Sequence, residues 1–120
     1  MARTSRQVDG SEGEDLAAAH LASAGLRVLS RNWRCRAGEL DIVARDTDGT
    51  LVFVEVRRRA SSAFGGAAAS ITPAKQLRLA RAAELYRQVM RCTAQPCRFD
   101  VVLMEAGRLE WIRDAFQPGT

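Results

Sequence analysis

The stretch Glu39-Leu40-Asp41-Ile42-Val43-Ala44-Arg45-Asp46-Thr47-Asp48-Gly49-Thr50-Leu51-Val52-Phe53-Val54-Glu55-Val56-Arg57-Arg58 decides the reading of this chain. Two runs rich in β-branched and apolar residues, 39–45 and 50–58, flank Asp46-Thr47-Asp48-Gly49, a strong turn signal, so the stretch reads as a β-hairpin. Side chains alternate between faces along each strand. Leu40, Ile42 and Ala44 then share one face, and Glu39, Asp41 and Val43 the other. In the second strand Leu51, Phe53, Glu55 and Arg57 lie opposite Val52, Val54 and Val56. Loop length fixes how the two sets meet. A three-residue loop, Thr47-Asp48-Gly49, pairs Asp46 with Thr50, brings Asp41 opposite Glu55 and puts Gly49 in the left-handed conformation this loop demands. A two-residue loop slips the register by one and sends the two acids to opposite faces. The expectation is the odd loop, with both carboxylates on one face and Cβ atoms about 5 Å apart.

Carboxylates set among apolar residues each need a cation, a donor or a metal. A hard divalent ion, Mg²⁺ or Mn²⁺, takes carboxylate and backbone oxygens, and the Val56 carbonyl is a natural extra ligand beside Asp41 and Glu55. The same acids can simply pair with Arg57, Arg58 or Arg59, and spacing alone favours that plainer arrangement over the metal.

Outward from the hairpin, Ser11 with Glu14 forms a capping-box pattern and Gly25 a stop, predicting a first helix over 11–24. A strand over 26–33 and a basic connection, Arg34 to Gly38, lead into the hairpin. Residues 60–70 are small and glycine-bearing, a loop. Thr72-Pro73 opens a second helix that runs to about Arg91. Strands over 98–105 and 108–112 follow, joined around Ala106-Gly107. The order α-β-β-β-α-β-β gives an α/β fold: a central mixed sheet flanked by two main helices. Residues 1–9 are expected as a flexible arm, 10–116 as a single domain and 117–120 as a tail.

A chain of 120 residues, 47% apolar, has one core. Its net charge of +4 favours polyanionic partners, nucleic acid above all. Of the 18 basic residues 17 are arginine, so single arginines say little, and Lys75, the only lysine, stands out. Three cysteines, Cys35, Cys92 and Cys97, form no CxxC pair and predict neither a disulfide framework nor a zinc site. Reduced thiols, no secretory h-region and no apolar run of membrane-spanning length lead to an expectation of a cytoplasmic protein away from membranes.

Gly13-Glu14, Asn32, Gly38-Glu39-Leu40-Asp41, Phe53-Val54-Glu55-Val56-Arg57, Phe64-Gly65, the helix start from Ile71 to Lys75, and Arg98-Phe99-Asp100-Val101-Val102 occur in one order. This ordered set, over about 10–116, resembles the bacterial YraN family of uncharacterised proteins. That family looks like a branch of the restriction-endonuclease-like superfamily with its PD-(D/E)XK core, and archaeal Holliday-junction resolvases are the closest functional analogy. The resemblance implies that Asp41 matches the metal-binding aspartate, Glu55 the acid of the E-x-K element, and Glu14 the glutamate that the first helix aims at the site. Arg57 stands where the family pattern has lysine. Arginine can grip a phosphate through its forked donors, but it stays protonated and cannot accept a proton. Lys75, on the apolar stripe of the second helix, is a candidate substitute; its plain alternative is a lysine snorkelling off the core edge.

Three functions stay open on the sequence. The first is a Mg²⁺- or Mn²⁺-dependent nuclease acting on structured DNA, with Asp41, Glu55, Arg57, Glu14 and Lys75 in its site. The second is a non-catalytic nucleic-acid-binding module. The third is a protein-interaction domain whose acids only form ion pairs. Arg34, Arg36, Arg58 and Arg59 would grip phosphates, with Trp33 stacking on a base. A homodimer would suit a two-fold junction. Asp100 is expected to anchor local donors or an arginine, His20 to be a half-exposed helix histidine, and Tyr86 and Met90 to lie in the core.

Overall fold

The hairpin turn sets the register of the whole sheet. In the computed structural model, which describes residues 5–59, 71–105 and 107–118, the Asp46 N–H donates to the Thr50 carbonyl at 2.9 Å and the Gly49 N–H to the Asp46 carbonyl at 3.0 Å. Gly49 sits at φ +90°, as a three-residue loop requires. Ile42 pairs with Val54, Val43 with Phe53, Ala44 with Val52 and Arg45 with Leu51, the register that puts Asp41 on the level of Glu55.

Among the described residues the elements are α1 (Ser5–Ser23), β1 (Arg27–Cys35), β2 (Gly38–Arg45), β3 (Leu51–Arg59), α2 (Pro73–Val89), β4 (Cys97–Glu105) and β5 (Arg108–Phe116). The five strands form one sheet in sequence order. β3 and β4, joined through α2, run parallel, while the other neighbours are antiparallel. The α/β order and the mixed sheet are those expected. Ala17 and Leu21 of α1 pack with Ile42, Ala44, Val52, Val54, Val102 and Met104 on one face. Leu79, Ala82, Ala83 and Tyr86 of α2 pack with Val43, Leu51, Phe53, Val101 and Leu103 on the other. Thr72 caps α2, its Oγ1 accepting from the Lys75 N–H at 3.1 Å, with Pro73 opening the first turn.

Three readings of secondary structure and strand face need correction. α1 begins at Ser5, so Ser11 lies inside the helix and is not its cap. β5 continues past Ile112 to Phe116 through a bulge. Asp114 adopts φ +50° there, and its N–H donates to Asp100 Oδ1 at 2.9 Å. Leu40 packs on the α2 side with Val43, whereas Ile42 packs on the α1 side, so strict alternation fails across Asp41. The cause stands directly across in β1. Between Arg31, paired with Ile42, and Trp33, paired with Leu40, Asn32 takes φ +53°. Asparagine tolerates this left-handed conformation better than most residues, and the strand turns over at that point. The expected loop over 60–70, its Phe64-Gly65 pair, and Ala106 lie outside the described residues.

The far end of the sheet is locked. Asp100 is fully buried. Its carboxylate accepts from Arg98 Nε at 3.0 Å, from Trp111 Nε1 at 2.9 Å and from the Asp114 N–H. Arg98 also donates to Asp46 Oδ2 at 2.8 Å and, through that hydrogen bond first, holds the Asp46 carboxyl below the usual range. Asp100 is thus the anchor the sequence implied. His20 meets Trp111 edge to face at 5.8 Å, and Tyr86 is core. Met90 is exposed at the end of α2, against the expectation that it packs. Cys35, Cys92 and Cys97 are free thiols. No helix among the described residues is long and apolar enough to cross a membrane.

Candidate metal centre

Beyond Ile42 and Val54 the β2–β3 ladder stops, because β2 follows the turned-over segment of β1 while β3 stays paired with β4. Asp41 fills the gap. Its Oδ2 accepts the Val56 N–H at 2.9 Å, a side chain standing in for a ladder carbonyl. Glu14 from α1, Asp41 from β2, and Glu55 and Val56 from β3 line one cavity of about 200 Å³, with Gly13, Arg58 and Met104 completing its walls. Carboxylate oxygens of Glu14, Glu39 and Asp41 lie within 4.8 Å of one another.

Like charges at this range repel, and burial sharpens the effect. Burial, then the charge of Asp41 and a hydrogen bond with it, push the Glu55 carboxyl up to about 8, against partial relief from Lys75 and Arg57. Burial and Asp41 also raise Glu14, while a hydrogen bond from Asn32 and the Arg31 charge pull it back. Glu55 Oε2 and Glu14 Oε1 are both buried, and neither makes a hydrogen bond among the described residues. Two cations stand off: Lys75 Nζ is 3.8 Å from Glu55 Oε2, and an Arg31 guanidinium nitrogen is 3.8 Å from Glu14 Oε1. Those are ion-pair distances, too long for hydrogen bonds. Arg31 turns instead to Asp15, at 2.7 Å. Buried carboxylate oxygens without donors are costly to leave unmatched. An all-oxygen donor set is what hard divalent cations select, so these residues fit such an ion.

The expected residues divide. Asp41, Glu55, Val56 and Glu14 converge on the cavity, and Lys75, from the first turn of α2 and one-third exposed, stands with its Nζ 3.8 Å from Glu55 Oε2. Arg57 sits close enough to lower the Glu55 pKa, and Arg58 lines the cavity. Arg34 lies 3.5 Å from Glu39, its side chain 80% exposed. Arg36 is exposed in the β1–β2 turn. Arg59 pairs through its backbone with Glu105, and its side chain lies outside the described residues. Trp33, expected to stack on a base, is half-buried and packs edge to face on Tyr86 at 5.3 Å; its ring is occupied by the core. Glu39 was missed as a site residue. The signal was present, since it lies two positions before Asp41, at strand spacing.

Fold and site together define a small α/β domain with a carboxylate cluster at the splayed end of a mixed sheet. The chain belongs to the uncharacterised protein family UPF0102 (YraN), whose model matches residues 13–104. A UPF0102 protein of Cupriavidus taiwanensis is 56% identical over 112 residues, covering 93% of this chain and 85% of that one. One of Cupriavidus pinatubonensis is 52% identical over 118 residues, covering 98% and 92%. Among solved structures, EndoMS in a complex with dsDNA matches with a TM-score of 0.49 and 22% identity, over 84% of this chain and 36% of that one.

Proposed function

We propose that this protein is a divalent-metal-dependent nuclease that cleaves phosphodiester bonds in structured DNA in the cytoplasm. The observation that carries the reading is the gathering of Glu14, Glu39 and Asp41 carboxylate oxygens within 4.8 Å of one another, where Glu14 and Asp41 also line one cavity with Glu55 and two buried carboxylate oxygens lack donors. Asp41, Glu55, Glu14 and Glu39 would hold Mg²⁺ or Mn²⁺, with the Val56 carbonyl as a further ligand. Bound there, the ion would supply Lewis-acid activation of water and charge compensation at the phosphate. Asp41, fixed by the Val56 N–H, presents its remaining lone pairs at a constant position. Lys75 stands by Glu55 and takes the place of the lysine that Arg57 replaces. Its amine can release and accept a proton, while the Arg57 guanidinium grips a phosphate oxygen. Arg34, Arg36, Arg58 and Arg59 would hold the backbone on either side.

The test uses labelled duplex, flap, single-stranded and four-way-junction DNA, with and without Mn²⁺, beside Asp41→Ala and Lys75→Met. Metal-dependent cleavage, lost in the first variant and reduced at least a hundredfold in the second, is expected. Arg57 favours a second reading, a binding module that has lost catalysis: salt-sensitive binding with no cleavage in any metal would establish it and end the enzymatic one.

A further inference from the structure

Beside the acidic cavity lies a larger one, of about 550 Å³, between α1 and the β4–β5 hairpin. We infer that this groove receives one unpaired nucleotide adjoining the phosphate at the acidic cluster, so that the protein selects DNA with an unpaired position; the inference rests on the nuclease reading. Arg58 and Met104 line both cavities, so the two adjoin, and a strand with its phosphate at the cluster has the groove as its neighbouring position. The volume falls within the range of about 300–1,000 Å³ typical of small-molecule sites. Its lining divides by chemistry as a nucleotide does. Leu16, Met104 and Leu109 offer an apolar surface for the faces of a base. Leu16 is 60% exposed on a helix whose neighbours Ala17 and Leu21 are fully buried, an apolar side chain left uncovered at the mouth. Arg58 and Arg108 supply the positive charge that a sugar-phosphate backbone requires. Glu105, on the same lining, offers an acceptor to an exocyclic base amine, as acidic side chains do for cytosine N4. An acidic peptide would use the two arginines but would gain nothing from Glu105, and a paired duplex cannot place a base in a groove of this size.

The experiment measures fluorescence anisotropy of a short duplex, either fully paired or carrying one unpaired 2-aminopurine, in Ca²⁺. The wild-type chain is expected to bind the unpaired form about tenfold more tightly, with a change in 2-aminopurine emission. Ala19→Trp, which fills the groove from an exposed position of α1, should bring the ratio to about one. Leu16→Glu serves the same end should Ala19→Trp melt early by circular dichroism. Equal affinities in the wild type, or an unchanged ratio in a folded groove variant, overturn the inference. Cleavage of the same substrates in Mn²⁺ separates it from the reading on which it rests. Cleavage with a ratio of one removes the groove alone. A tenfold ratio without cleavage removes the nuclease and leaves the groove as a nucleotide-binding site.

Discussion

Glu55 makes the stability of this chain depend on pH in a direction opposite to that of most carboxylates. Its carboxyl is 7% exposed and holds its proton up to about 8, against an ordinary value of 4.5, through burial and then the charge of Asp41. Below 4.5 the folded and unfolded chains are both protonated there, and the full contribution to stability is present. Between 4.5 and about 8 only the unfolded chain has released the proton, so stability falls as pH rises and levels off above the folded value. At 1.36 kcal/mol per pH unit, the interval corresponds to roughly 4–5 kcal/mol, an amount shared with Asp41, whose charge is one of its causes. Urea unfolding in EDTA at pH 5 to 9 should show the wild type losing a few kcal/mol across this range. Glu55→Gln, of equal size and unable to ionise, should hold nearly level and overtake the wild type by about that amount at pH 9. Mn²⁺ should act in the opposite sense, stabilising the wild type more strongly as pH rises, since ligand carboxylates must be deprotonated to bind it. Parallel profiles for the two chains in EDTA would refute the account of Glu55 as a carboxyl strained by burial and by Asp41.

Asn32→Ala should lower stability by about 1–2 kcal/mol, because alanine resists the left-handed conformation at φ +53°. Asn32→Gly should recover most of that loss in thermal unfolding, yet both variants should raise the Glu14 pKa seen by NMR, since both lose the side-chain hydrogen bond that lowers it. Asp100→Ala, which strands Arg98 Nε, Trp111 Nε1 and the Asp114 N–H together and leaves Arg98, among the described residues, only its bond to Asp46, should cost about 3–5 kcal/mol in urea unfolding.

Much of this arrangement was legible in the sequence, and the hairpin shows why. Asp48-Gly49 specifies a turn chemically, the alternating residues fix the faces, and together they leave two registers, one of which pairs Asp41 with Glu55. Lys75 and Asp100 stood out for local reasons, one as a lone lysine at a helix start and the other as an acid after Phe99 at a strand start, expected to anchor donors or an arginine. What escaped were the departures from local rules. Nothing in Arg31-Asn32-Trp33 announces a left-handed residue inside a strand, and without it the failure of alternation at Leu40 cannot be seen. Glu39 was passed over because its role depends on α1 delivering Glu14 across the fold. β5 was cut short because Asp114 shifts the phase that alternation relies on. The start of α1 was misplaced because residues 5–10 carry no apolar period.

The knot of Arg98, Asp46, Asp100, Trp111 and Asp114 ties the hairpin loop, β4 and β5 together at one end, while at the other end β2 and β3 have already parted. The sheet is therefore tied across at one end and split between β2 and β3 at the other, while its remaining strand pairs hold. The Val56 N–H bond to Asp41 Oδ2 crosses that split, and a cation gripped by Asp41 and Glu55 would act as a second tie.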